Sequence, residues 1–232
     1  MVRGRTSLAL LLLGVLLAAV VACGGGGGGG EPLPDGGGLL RSSAAEMRNV
    51  RSAHFTLKVD GTVTGVSVHS AEGVLTRTGD VQGSGQVEQF GQSVEIEFVI
   101  VGGTAYIKGP TGGFQRLPAS VVTSGYDPSA ILDPRRGVAP LLLAARDPHT
   151  EAPEEVGGQQ AYRVAARFDR QAMATLLPGV TGDVSAELWV GADRPRLLQG
   201  RFTVPAAPGG QPGTVTVTLS RFDEPTTIRP PS

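Results

Sequence analysis

The chain has a single cysteine, Cys23, among its 232 residues. No disulfide can form within one chain, and redox or thiolate-metal chemistry has nothing to work with elsewhere. Histidine is scarce too. His54, His69 and His149 stand far apart and in no metal-ligand spacing, as expected of solvated or hydrogen-bonded surface residues. Neither sign of charge is in excess, with 20 Lys and Arg against 21 Asp and Glu. That balance exerts no pull toward nucleic acid or an anionic bilayer. Gly-x-Ser-x-Gly and His-Glu-x-x-His are missing, and the glycine tract after Cys23 lacks the Lys-Ser/Thr of a phosphate loop. Glu154-Glu155 and Glu95 with Glu97 are paired carboxylates. The latter two share a strand face and could approach, but a solvated face accounts for both. No enzymatic activity, cofactor or metal is expected.

What is present begins at the N-terminus. Arg3 and Arg5 precede an apolar run from Leu8 to Val21, too short for the ~20 residues of a membrane span and suited to a signal peptide. Val20-Val21-Ala22-Cys23 resembles the lipobox of bacterial lipoproteins, whose signal peptidase cuts before the cysteine. That resemblance implies a leader over 1–22 and a diacylglyceryl thioether on Cys23, with further acylation of the freed amine open. One acyl chain binds a membrane marginally at ~0.8 kcal/mol per methylene, whereas two or three hold it stably. The expected address is the extracytoplasmic face of the cell membrane, in the cell envelope, with the lipid anchor as the membrane contact. From Gly24 to Gly38 the chain is glycine-rich, with Glu31, Pro32, Pro34 and Asp35 interspersed. Residues 23–38 are therefore expected to be the lipidated cysteine and a disordered tether, roughly 20 Å in mean span.

Residues 39–232 should form one folded domain. Leu40, Ala44 and Met47 recur at helical spacing, with Val50 beside them. The period then changes to two. Phe55, Leu57 and Val59 alternate with Thr56, Lys58 and Asp60, and Val94, Ile96, Phe98 and Ile100 alternate with polar residues. Gly102-Gly103 turns that strand into Thr104 to Lys108, and Gly157-Gly158 precedes Tyr162, Val164, Ala166 and Phe168. Val184 to Val190, Phe202 with Val204, and Val215 to Leu219 continue the pattern. Short glycine-rich turns between successive strands predict an antiparallel sheet. Helices are expected after Asp127-Pro128 and Asp133-Pro134, each an N-cap followed by N1, over Val138 to Ala145, and after Asp169 until Pro178-Gly179. The fold class is α+β.

The middle of the chain carries a family resemblance. Ser52-Ala53-His54-Phe55, Ser70-Ala71-Glu72-Gly73, Tyr106-Ile107-Lys108, the run from Tyr126-Asp127-Pro128-Ser129 through Asp133-Pro134-Arg135-Arg136-Gly137, Leu177-Pro178-Gly179, Leu188-Trp189-Val190 and Ser220-Arg221-Phe222-Asp223 resemble the LppX/LprAFG lipoproteins of actinobacteria. The resemblance spans nearly all of Leu39 to the C-terminus. It implies a strongly curved antiparallel half-barrel whose helices close the concave face around a large apolar cavity, an architecture shared with LolA and LolB carriers. It also implies a cargo of multi-acylated lipid or glycolipid, triacylglycerol-like, carried from the inner membrane toward the outer envelope.

The residue pattern by itself admits either a close-packed core or a roofed cavity. Thirty-five glycines and an aromatic content of 5% leave many strand positions with little volume. With the resemblance, the expected cavity-lining residues are Phe55, Leu57, Val59, Ile96, Phe98, Ile100, Leu141, Leu142, Leu176 and Leu188. Two functions stay open: a lipid carrier, and a non-carrying accessory or scaffold for a membrane lipid exporter. The exporter is the protein partner either reading admits. A substrate-binding lipoprotein of an importer is disfavoured, because two βαβ-wound lobes are lacking.

Overall fold

Asp35 opens the folded part. Its Oδ2 accepts a hydrogen bond from the Gly38 N–H at 2.6 Å, capping α1 (Gly36–Met47). Leu40, Ala44 and Met47 are buried along one side of that helix. The tether expected to run to Gly38 therefore ends earlier, since Gly36, Gly37 and Gly38 form the first turn of α1. Gly36 is buried against His149, where a Cβ would lie 2.9 Å from the His149 Cα. A glycine that resembles linker in sequence here permits close packing.

The computed structural model describes residues 32–89, 91–122, 128–177, 180–206 and 211–231. Cys23, the expected leader and the glycine tract that follows Cys23 lie outside the described residues, as do Tyr126, Asp127, Pro178 and Gly179. From Leu33 the chain constitutes one folding unit.

Among the described residues eleven strands make a single, curved, antiparallel sheet. The first six are β1 (Ser52–Asp60), β2 (Val68–Thr76), β3 (Val81–Gln89), β4 (Gln92–Val101), β5 (Thr104–Lys108) and β6 (Gln115–Pro118). They run as a meander from the centre to one edge. The other five are β7 (Arg146–Val156), β8 (Gln159–Phe168), β9 (Val184–Gly191), β10 (Leu197–Val204) and β11 (Gly213–Ser220), which run from the opposite edge back to the centre. There β11 pairs with β1. Gly102 and Gly103 both have positive φ, as do Gly157 and Gly158, the conformation a two-residue hairpin turn with the sheet's twist requires.

This topology creates a roof. The chain ends the first meander at β6 and must begin the second at β7, on the far edge of the sheet. Eleven strands at ~4.8 Å would separate those edges by roughly 50 Å if flat, so the connection has to cross a face. It contains α2 (Ala119–Val122), a 3-10 turn (Pro128–Ala130) and α3 (Val138–Leu143). A fourth short helix, α4 (Arg170–Met173), leaves β8 and is capped by Asp169, whose Oδ1 accepts from the Ala172 N–H at 2.8 Å. The helix expected after Asp133-Pro134 is instead a tight turn. Asp133 Oδ1 accepts from the Arg135 N–H at 2.8 Å, and its Oδ2 accepts from Arg136 Nε at 3.0 Å. Gly137 closes the turn against the carbonyls of Ala130 and Ile131, which any Cβ would strike. Asp133 has the chemistry of a cap but folds the chain back before a helix can grow.

Candidate functional site

Cross-strand register converts the one-sided strands into rows of inward side chains. One row runs Phe98, Gly83, Gly73, Phe55, Leu219 across β4, β3, β2, β1 and β11. The next runs Ile96, Gly85, Ala71, Leu57, Val217, Gly200, Leu188 from β4 to β9. Each row interrupts large side chains with glycine or alanine. Space is therefore left on the sheet, and the roof does not fill it.

Two apolar cavities result. The first, of about 130 Å³, lies over β1–β5 and is lined by Phe55, Ile96, Phe98, Ile100 and, from the roof, Val122 and Pro128. Val68, Val87, Ile96, Ile107 and Val122 of its lining also line a wider opening of about 580 Å³. That opening is rimmed by polar residues at strand ends and in the turns between strands, among them Ser67, Gln89, Thr111 and Gln115. The second cavity, of about 50 Å³, lies over β10 and β11. Leu141 of α3, Met173 of α4, Leu176 and Leu177 cover it, and Phe202, Val217 and Leu219 form its floor.

The expected lining residues thus divide. Phe55, Ile96, Phe98 and Ile100 meet in the first cavity, and Leu141 and Leu176 in the second. Leu57, Val59, Leu142 and Leu188 belong to the surrounding core and line neither. The family resemblance pointed to a strand at Ser70 to Gly73, within β2, without naming Val68 or Ala71 as lining; β3 was passed over, and with it Gly85 and Val87 of the first cavity. A signal for β3 was present: Val81, Gly83, Gly85 and Val87 alternate with Gln82, Ser84, Gln86 and Glu88. Glycine does not score as apolar, and so the period-two pattern was hidden. β6 and β7 were also passed over; β7 carries Pro148 and Pro153, which suit an edge strand.

Charged groups lie around the site as supports. Asp223 ties the chain's end to its first strand: Oδ1 accepts from the Arg51 N–H at 2.8 Å and Oδ2 from Arg196 at 2.7 Å. Burial pushes the Asp223 carboxyl up, but the Arg51 N–H and the Arg196 guanidinium outweigh it and hold the pKa below the usual range. Asp133 behaves alike: burial raises it, while Arg135 and Arg136 bring the net value down. His54 is lowered, first by burial and then by Arg221. Glu97 pairs with Lys108 at 2.7 Å on the exposed face, away from both cavities. On that outer face β8–β10 carry a small second core around Trp189, whose Nε1 donates to Glu154 at 2.7 Å while Arg201 stacks on its ring.

An open antiparallel sheet, curled about a partly empty apolar face and crossed by a strap of short helices, defines a class of envelope lipoprotein domains. The model of the LppX_LprAFG lipoprotein family matches residues 35–228, and the chain belongs to that family. It is 31% identical over 205 residues to the lipoarabinomannan carrier protein LprG of Mycolicibacterium smegmatis, covering 86% of this chain and 84% of that one. The LprG of Mycobacteroides abscessus is 28% identical over the full length of both. Among solved structures, LprF from Mycobacterium bovis superposes with a TM-score of 0.72 at 22% identity, covering 88% of this chain and all of that one. LppX from Mycobacterium tuberculosis gives 0.63 at 17% identity, covering 83% and 97%. Both neighbours share this fold.

Proposed function

We propose that this protein is a membrane-anchored lipid carrier of the cell envelope. Cys23, acylated after removal of residues 1–22, holds it at the extracytoplasmic face. The space beneath the roof takes the acyl chains of a multi-acylated lipid or glycolipid for passage from the inner membrane toward the outer envelope. A membrane lipid exporter is the partner such a carrier would receive its cargo from. The observation that carries this reading is the apolar, glycine-floored cavity opening onto a polar rim, in a chain whose relatives are named lipoarabinomannan carriers.

The energetics favour exchange over capture from water. A cargo with ~40–50 methylenes would gain ~30–40 kcal/mol on leaving water at ~0.8 each, beyond any non-covalent affinity. In the bilayer those methylenes are already dry, and loading is then close to neutral. The test is organic extraction of the purified Cys23→Ala protein expressed in an envelope-bearing host, followed by lipid analysis. Stoichiometric lipid with several acyl chains supports the carrier. A protein that is repeatedly empty, with fold intact, leaves the accessory role for an exporter.

A further inference from the structure

The two apolar cavities are divided by the central strand. β1 has five strands on each side of it, and its inward side chains stand between them. Phe55 lines the first cavity, and its register partner Leu219 lines the second. Leu57 lines neither: its partner on β2, Ala71, faces the first cavity, and its partner on β11, Val217, faces the second. Directly opposed residues of an antiparallel pair project to the same face within ~5 Å, so Leu57 stands as a wall between Ala71 and Val217. It is 2% exposed, packed within the main apolar core. The roof divides at the same place. Pro128 lines the first cavity, whereas Ile131, one turn later, lines the second.

The wide polar opening shares its walls with the first cavity alone. Val68, Val87, Ile96, Ile107 and Val122 line both, while none of the residues around the 50 Å³ cavity lines the opening among those described. An acyl chain that enters by this opening reaches the second compartment by passing the β1 ridge. Neither compartment at rest holds a full chain, since a cavity of about 150 Å³ is filled by one benzene. Chains must displace the core packing around the ridge to extend.

Resting on the lipid-carrier reading, we infer that Leu57, with Phe55, is a specificity-determining ridge that sets how many acyl chains the protein holds. One chain occupies the compartment over β1–β5. A lipid with two or more chains places another across Leu57 into the compartment over β10 and β11. Widening the ridge should exclude multi-chain lipids and spare single-chain ones, and lowering it should do the reverse.

The full chain carrying Cys23→Ala, alone or with Leu57→Trp or Leu57→Ala, is incubated with phosphatidylcholine vesicles containing equal amounts of monopalmitin and tripalmitin. The protein is reisolated, its melting temperature is measured, and its bound lipids are counted by mass spectrometry. Leu57→Trp should lower the tripalmitin-to-monopalmitin ratio by about tenfold or more, since some two methylenes left in water already make that factor. Leu57→Ala should raise the ratio. A folded Leu57→Trp protein with an unchanged ratio overturns the inference. If that variant does not fold, a Leu57→Ala protein with an unchanged ratio does so instead. A parent protein that retains monopalmitin alone overturns the ridge but leaves the carrier standing. A parent that retains neither lipid removes the carrier reading, and the ridge with it.

Discussion

Gly73 and Gly83 are register partners on β2 and β3, and neither could carry a side chain without striking the other's strand. A Cβ on Gly73 would run into the Gln82 carbonyl and lie 2.8 Å from the Gly83 Cα, and one on Gly83 would strike the Glu72 carbonyl. The two strands thus close together between Phe55 and Phe98, which both line the first cavity. Gly83→Ala should force them apart and cost about 1–3 kcal/mol, the range for overpacking a closed site. Chemical denaturation gives the measurement; a change under about 0.5 kcal/mol would show that the close approach is not required.

Phe98 and Ile100 have space above them. Replacing either with Trp in a close-packed core would cost ~1–3 kcal/mol through strained rotamers. Both side chains border the 130 Å³ cavity, and so Ile100→Trp and Phe98→Trp should cost less and displace bound lipid. Melting temperature and extractable lipid are measured together on each variant. Large destabilisation in both, with an empty parent, would mark this region as ordinary core.

Asp223 and Asp133 make stability depend on acidity. Both carboxyls are held below their ordinary value in the folded state, so the unfolded chain takes up protons first. Their contribution is fully present above the unfolded value of about 4 and is lost as pH falls through the depressed folded values. Asp223→Asn should lower stability at neutral pH by about 1–3 kcal/mol, since it breaks charge-assisted bonds to Arg51 and Arg196. It should also flatten the loss between about pH 5 and 3. Thermal melts across that range test this; parallel pH curves for variant and parent would contradict it.

Cys23→Ala should abolish acylation, because no other residue of the chain can accept the thioether. Metabolic labelling with a fatty acid decides the matter. Label persisting on the variant would place the lipid elsewhere.

Much of the sheet was legible because side-chain direction in a strand is a local property. Phe55, Leu57 and Val59 face one way wherever the strand lies, and the paired glycines at 102–103 and 157–158 demand hairpins without help from the rest of the fold. The roof motif could be recognised but its geometry could not be derived. Asp133-Pro134 has the chemistry of a helix start, and Gly137, buried against three carbonyl-bearing residues, decides otherwise.

The amino-acid sequence by itself determined the alternation of the strands, their hairpin turns, the α1 stripe and the lone cysteine behind an apolar run. All of these follow from bonds and periodicities within a few residues. Tertiary structure alone decided which apolar residues border space and which fill it. Leu57 and Ile96 share a row and an inward direction, but one stands in the wall and the other faces a cavity. The difference is set by Gly85 and Ala71 between them and by a roof built from residues 119–122 and 128–145, between β6 and β7 at opposite edges. Empty volume belongs to several elements at once, and no local pattern encodes it.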